Sequence, residues 1–117
     1  MRIKPEFIFS DERGKLVQLF DLSKWKEVNY ITIKKGTIRG DHYHKKTNER
    51  FFIVNGEIKI TLKKNISRSY ICKEGDIIHI SPMVKHTLLA LTDVKLISFL
   101  SEKFNSKKPD LYRGDPK

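Results

Sequence analysis

Gly36-Thr-Ile-Arg-Gly-Asp-His42-Tyr-His44-Lys-Lys-Thr-Asn-Glu49, closed by Gly56, is the stretch on which the reading of this chain turns. It sets two histidines at i and i+2, then a carboxylate five residues later. On an extended strand, residues i and i+2 project to one face, so His42 and His44 aim two imidazoles at a common point. A fourth candidate, His86, follows Gly75-Asp-Ile-Ile-His-Ile-Ser-Pro-Met-Val-Lys85. Three imidazole nitrogens and one carboxylate oxygen suit a first-row divalent metal and leave positions open for a substrate. The first expectation is therefore a metal site built from His42, His44, Glu49 and His86. The donor set leaves zinc, iron, manganese, nickel and cobalt all open.

Outward from this stretch the chain alternates with a period near two. Residues 15–20, 28–33, 50–54, 57–62, 68–72, 76–80, 86–91 and 94–100 all read as strands. Turn signals separate them: Arg13-Gly14, Lys35-Gly36, Asn55-Gly56, Lys64-Asn65, Glu74-Gly75-Asp76 and Thr92-Asp93. Asn55-Gly56 between two apolar runs predicts a tight β-hairpin, since a type I′ turn needs positive φ at both central residues. Asp21-Leu-Ser-Lys-Trp25 predicts one short helical turn capped by Asp21 or Ser23. No strand–helix–strand rhythm appears, so the fold class is all-β, a sandwich or barrel. A single domain over residues 1–117 is expected, the barrel occupying about 1–101. The tail, 102–117, loses the alternation and reads as irregular, with Phe104, Leu111 and Tyr112 available to pin it down.

Of the 117 residues, 38% are hydrophobic and 32% charged, the composition of a globular domain rather than a disordered one. No apolar run approaches the ~20 residues of a membrane span. The N-terminus lacks the apolar core of a secretory signal, so a cytoplasmic location is expected. The one cysteine, Cys72, lies in a strand-like alternation and reads as a buried structural thiol. The net charge of +10 is spread along the chain without any nucleic-acid-binding motif, so no nucleic-acid partner is expected. Arg39, Lys45, Lys46 and Arg50, beside the histidines, instead fit an anionic small molecule. His79, between Ile78 and Ile80, faces away from both and reads as a surface or hydrogen-bonded residue.

The spacing glycine, five residues, His-x-His, three or four residues, Glu, six residues, glycine resembles the first motif of the cupin superfamily, filled here by Gly36, His42, His44, Glu49 and Gly56. The second cupin motif is represented by Gly75 and His86. Ser81, Met83 and Ala90 stand where its proline, glycine and asparagine would be, and Pro82 lies one place along. The resemblance implies a double-stranded β-helix, the cupin jelly-roll barrel, with His42, His44, Glu49 and His86 converging inside. Cupins that have lost their metal keep the same pocket, so histidines lining an empty one remain an alternative.

A narrower resemblance ties Asp11-Glu-Arg-Gly-Lys-Leu-Val17 and Ile38-Arg-Gly-Asp-His-Tyr-His-Lys45 to the cupins of deoxysugar-nucleotide pathways. These are the sugar 3,4-ketoisomerases, the rhamnose-pathway epimerases and the C-terminal cupin of capsular polysaccharide reductases. The tail segment Lys108-Pro-Asp-Leu-Tyr112 is similar to the last of these. The implied function is isomerisation or epimerisation of a nucleotide-linked keto-deoxysugar in surface-polysaccharide synthesis, by a homodimer. Such a reaction removes a proton beside a carbonyl and steadies the resulting oxyanion, roles open to His42 and His44 as acid and base. Arg39 and Lys45 would receive the pyrophosphate, and Tyr30 or Tyr70 would stack on the base or donate a proton unless they are core residues, the plainer reading of both. Tyr43 points away from the histidines and reads as a packing residue. A metal-free ketoisomerase, a dioxygenase and a sensing cupin without turnover remain alternatives, Glu49 favouring a metal over the first.

Overall fold

The computed structural model describes residues 1–21 and 23–116, and among these there are eleven strands and no helix. They are β1 (Arg2–Ile3), β2 (Phe7–Asp11), β3 (Gly14–Gln18), β4 (Glu27–Ile33), β5 (Ile38–His42), β6 (Glu49–Asn55), β7 (Ile58–Lys63), β8 (Ser67–Cys72), β9 (Ile77–Ile80), β10 (Lys85–Ala90) and β11 (Val94–Leu100). One sheet runs β1-β9-β6-β11-β4, a second runs β5-β10-β7-β8, and β2 and β3 form a separate antiparallel hairpin. Every pairing is antiparallel. From β4 onward the chain crosses from one main sheet to the other at every connection except β7–β8. That crossing rhythm makes the all-β fold a jelly roll, as the cupin resemblance implies.

The alternation decides what fills the space between the sheets. On β6, Glu49, Phe51 and Ile53 point inward, while Arg50, Phe52 and Val54 alternate outward. Ile58 and Ile60 of β7, Leu88 and Ala90 of β10, and Val94 and Leu96 of β11 complete the same core. Each fully buried isoleucine or leucine contributes about 1.5–3 kcal/mol relative to exposure. Cys72 is buried at the end of β8. No helix among the described residues is long and apolar enough to cross a membrane.

Four sequence expectations need correcting. Asn55-Gly56 does not close a hairpin: β6 pairs with β9 and β11, whereas β7 pairs with β8 and β10. Gly56, at φ 94°, instead passes the chain between sheets, where a Cβ would fall 2.2 Å from the Asp93 carbonyl oxygen. Positive φ is found at Gly56 but not at Asn55, so the turn is not type I′, and tertiary pairing decided what it joins. The long apolar run Leu96–Leu100 reads in the sequence as an edge strand that needs covering, but β11 lies between β6 and β4. The eight strands also omit β1, β2 and β5, the last because Ile38-Arg-Gly-Asp-His42 carries glycine and aspartate where strands favour branched residues. At 21–25, Asp21 Oδ1 accepts from the Ser23 backbone N–H (3.0 Å) and hydroxyl (2.6 Å). Leu22 lies outside the described residues, and no helix forms among the others.

Candidate metal centre

His42 closes β5, and two unusual residues put it there. Gly40 at φ 88° and Asp41 at φ 58° sit at a break in register, with His86 opposite His42 and Thr87 opposite Gly40. Asp41 is thus the extra residue of a β-bulge, which re-aims the chain at the barrel rim. Beyond it, Tyr43 and Tyr112 exchange two backbone hydrogen bonds of 2.9 Å and stack their rings at 5.6 Å. This short bridge carries the extended geometry past the end of β5, so His42 and His44 do share a face.

His86 lies on β10 directly opposite His42, and Glu49 opens β6. The ring centroids are 5.1 Å apart for His42 and His44, 4.6 Å for His42 and His86, and 5.2 Å for His44 and His86. One ligand atom from each ring falls within 4.8 Å of the others. Glu49 Oε1 is 3.3 Å from His44 Nε2 and 3.4 Å from His86 Nε2, and Oε2 accepts from the Ser98 hydroxyl at 2.9 Å. The four expected ligands are thus brought together.

The hydrogen atoms decide what this cluster can hold. His44 Nδ1 faces the Asp110 carbonyl oxygen at 2.6 Å, and His86 Nδ1 faces that of Val84 at 3.1 Å. A carbonyl can only accept, so both rings carry their proton on Nδ1, and when neutral they turn a bare lone pair at Nε2. Both lone pairs face the carboxylate oxygen of Glu49, and His86 Nε2 is buried without any hydrogen-bond partner. Lone pairs so arranged repel unless a cation lies among them: a proton on Nε2, whose retention is why Glu49 raises the His44 pKa, or a metal that displaces it. Two ligands bound tetrahedrally to zinc at ~2.0–2.1 Å stand ~3.3 Å apart, which the Glu49–His44 and Glu49–His86 separations reproduce. The residues present fit a divalent metal.

Electrostatics agree. Burial pulls the His42 pKa down to about 4, helped by His86 and His44, so its imidazole is neutral and free to ligate at neutral pH. Burial opposes ionisation of Glu49, but the adjoining His44 and His86 rings outweigh it and hold the carboxyl at about 2. For His44, burial favours the neutral ring, while Glu49 and the Asp110 carbonyl override it and raise the pKa.

The remaining expected site residues divide. Arg39 lines a cavity of about 90 Å³ with His42, Glu49, His86, Ile31, Ile33, Phe51, Leu88 and Leu96. Tyr30 does not join it: β4 turns Ile31 and Ile33 inward and leaves Tyr30 62% exposed on the outer face. Lys45 is drawn to the tail, its ammonium 4.3 Å above the Tyr112 ring. Tyr70 packs against the core, and Tyr43 is buried under Tyr112. His79 sits on the outer face of β9, where Nδ1 accepts from Arg50 Nε at 2.9 Å. Two residues were not anticipated, Ser98 and Asp110. Ser98 was detectable as a polar side chain at an inward position of β11, whereas Asp110 lies in a tail with no periodicity to orient it.

A jelly roll that gathers three histidines and a glutamate at one end of its interior is a cupin barrel. Residues 9–112 match the polysaccharide biosynthesis C-terminal domain family, and the chain belongs to it. It is 26% identical over 110 residues to a UDP-2-acetamido-2,6-beta-L-arabino-hexul-4-ose reductase of Pseudomonas aeruginosa, covering 88% of this chain but only 30% of that protein. Among solved structures it is similar to QdtA, a sugar 3,4-ketoisomerase from Thermoanaerobacterium thermosaccharolyticum in complex with TDP. That likeness has a TM-score of 0.82 and 26% identity, over 97% of this chain and 87% of the other. The capsular polysaccharide assembling protein CapF from Staphylococcus aureus shares the fold, with a TM-score of 0.73 and 23% identity over 93% of this chain and 32% of that one.

Proposed function

We propose that this domain binds a divalent transition metal through His42, His44, Glu49 and His86 and isomerises or epimerises a nucleotide-linked keto-deoxysugar in surface-polysaccharide synthesis. The observation that carries the metal is the pair of Nε2 atoms, on His44 and His86, turned onto one carboxylate oxygen while both Nδ1 atoms face backbone carbonyls. The sugar class is supported by the family and by the likeness to a ketoisomerase crystallised with TDP. When bound, a divalent metal would supply Lewis-acid polarisation of a substrate carbonyl.

The chain's own residues divide the remaining work. A cavity of about 90 Å³ is far below the ~300–1,000 Å³ of a typical small-molecule pocket, so only the reacting end of the sugar enters. Ile31, Ile33, Phe51, Leu88 and Leu96 wall that end and keep water from it. Arg39, exposed at the rim, offers a planar fork of donors to the pyrophosphate outside. The homodimer expected from the sequence belongs to this reading, with β2, β3 and β4 as the surface that a second copy covers.

A second reading has an observation of its own, the TM-score of 0.82 to a sugar 3,4-ketoisomerase. In it no metal is used, and His42 and His44 act as base and acid. His42 is the better base of the two, since it lines the cavity while His44 is committed to Asp110 and Glu49.

Elemental analysis of purified protein, followed by NMR of nucleoside-diphosphate keto-deoxysugars in deuterated water, tests both readings. The proposal expects close to one metal per chain, and exchange of the proton beside the carbonyl that stops on chelation. Exchange that survives chelation favours the metal-free reading. Metal without exchange or binding of any nucleotide sugar would leave the sugar assignment without support.

A further inference from the structure

The segment after the last strand departs from the barrel and returns to the metal loop, more than sixty residues away in sequence. Asp110 is the point of attachment. Its carboxylate accepts the backbone N–H groups of Lys45 through Oδ1, and of Lys46 and Thr47 through Oδ2, each at 2.9 Å. Oδ2 also accepts the Thr47 hydroxyl at 2.8 Å. The backbone carbonyl of the same residue takes the Nδ1 proton of His44 at 2.6 Å. On one side Tyr112 pairs with Tyr43, and Arg113 Nη1 donates to the Gly40 carbonyl oxygen at 3.1 Å.

The two halves of Asp110 have different chemistry but one consequence. The carbonyl fixes which nitrogen of His44 carries hydrogen, and so which nitrogen is a ligand. Such partners of metal-bound histidines set ring orientation and basicity. A carbonyl in an irregular tail has no sheet to hold it in place. Here the side chain of the same residue holds it, gripping three consecutive N–H groups of the loop that bears His44. Burial works against the charged carboxylate, yet these donors keep its pKa below the usual range, so the grip is anionic at neutral pH.

We propose that Asp110 is a positioning residue for the metal centre: its carboxylate locks residues 110–113 onto the 43–47 loop, and its carbonyl thereby holds His44 with Nε2 aimed at the metal. The inference rests on the metal reading above. It predicts that metal affinity responds to a side chain that never touches the metal.

The test is a titration of the full-length metal-free chain with Co²⁺ against a chromophoric chelator, reading affinity and the visible d–d absorption together. Asp110→Ala should weaken Co²⁺ binding by about 10–100-fold and alter the d–d band, as loss of a histidine's hydrogen-bond partner does elsewhere. Asp110→Asn, which keeps an acceptor oxygen, should recover part of the loss. If Asp110→Ala does not fold, Thr47→Val, which removes one of the four donors, should give a smaller loss in the same direction. A purely structural strap would lower the melting temperature of the metal-free form while leaving Co²⁺ affinity and spectrum unchanged, and that result overturns the proposal. If the parent chain binds neither Co²⁺ nor Zn²⁺, the metal reading fails and this inference fails with it. A parent that binds and variants that bind equally well overturn only the strap.

Discussion

Gly40 passes so close to His86 that an added Cβ would lie 2.8 Å from the His86 carbonyl oxygen. The contact is backbone to side-chain origin, so no rotamer change relieves it, and φ of 88° is itself a left-handed value that favours glycine. The bulge that aims His42 thus depends on a missing methyl group. Gly40→Ala should cost about 1–3 kcal/mol through backbone strain alone, measurable by urea denaturation of the metal-free protein. It should also weaken Zn²⁺ binding, because β5 must lift from β10. Unchanged stability would show that β5 is not pinned there.

Glu49 tests the centre more directly. Glu49→Gln keeps the shape and the Ser98 contact but removes the negative charge that a bound cation would need. Zn²⁺ affinity, measured by chelator competition, should fall at least tenfold, about 1.4 kcal/mol. The melting temperature of the metal-free variant should move far less. Equal Zn²⁺ affinity in both proteins would remove Glu49 from the ligand set.

How much of this was legible in the chain follows from how local each signal is. The i, i+2 spacing of His42 and His44 and the inward alternation of β6, β7, β10 and β11 are carried by neighbouring residues, and they placed the core and the four candidate residues at one end of it. Asn55-Gly56 advertised positive φ at Gly56 but neither the turn type nor its partners, because β6 pairs with β9 and β11, 25 or more positions away. Tyr30 was misjudged for the same reason. Its strand was evident, yet which face meets the cavity depended on Ile31 and Ile33 winning the interior. Asp110 acts through hydrogen bonds in an aperiodic tail, where no pattern marks a direction.

The Arg50–His79 pair makes stability depend on pH. Burial, then the Arg50 charge, lowers the His79 pKa below its ordinary value of 6.5. The folded state therefore resists protonating His79 more than the unfolded state does. The pair's contribution is complete above pH 6.5 and diminishes as pH falls from there towards the folded pKa. His79→Gln, whose amide oxygen can still accept from Arg50, should flatten the dependence of melting temperature on pH between about 7.5 and 5. His79→Ala should cost about 1 kcal/mol at pH 7.5 through the lost hydrogen bond. Parallel pH profiles for the parent and His79→Gln would place the titration elsewhere.

Assembly follows from surfaces that one chain leaves bare. The hairpin of β2 and β3 pairs only with itself, and Phe7, Ile8, Phe9 and Leu16 on it are exposed. A lone two-stranded hairpin is marginal in water. Strand β4 is an open edge of the larger sheet that also exposes Val28 and Tyr30. Sedimentation equilibrium should give a homodimer at micromolar concentration, and Phe9→Glu should shift it towards monomer. A parent chain that sediments as a monomer would refute this assembly.

Arg39 separates a nucleotide-sugar site from a metal centre of another purpose. It lines the same cavity as His42, Glu49 and His86 but remains exposed, which suits contact with a charge outside the barrel. If it receives a pyrophosphate, nucleoside-diphosphate sugars should raise the melting temperature while free sugars do not. A hydrogen bond to a charged group is worth about 1.5–3 kcal/mol, so Arg39→Ala should weaken binding at least tenfold in calorimetry. Because the residue is exposed, raising the salt from about 0.1 M to 1 M shortens the screening length from ~10 to ~3 Å and should erode the parent's affinity. The Arg39→Ala variant should lose much of that salt dependence. Metal content should stay at the parent's level throughout, since Arg39 is not a ligand. Tight binding that ignores both Arg39 and salt would mean the phosphates lie elsewhere.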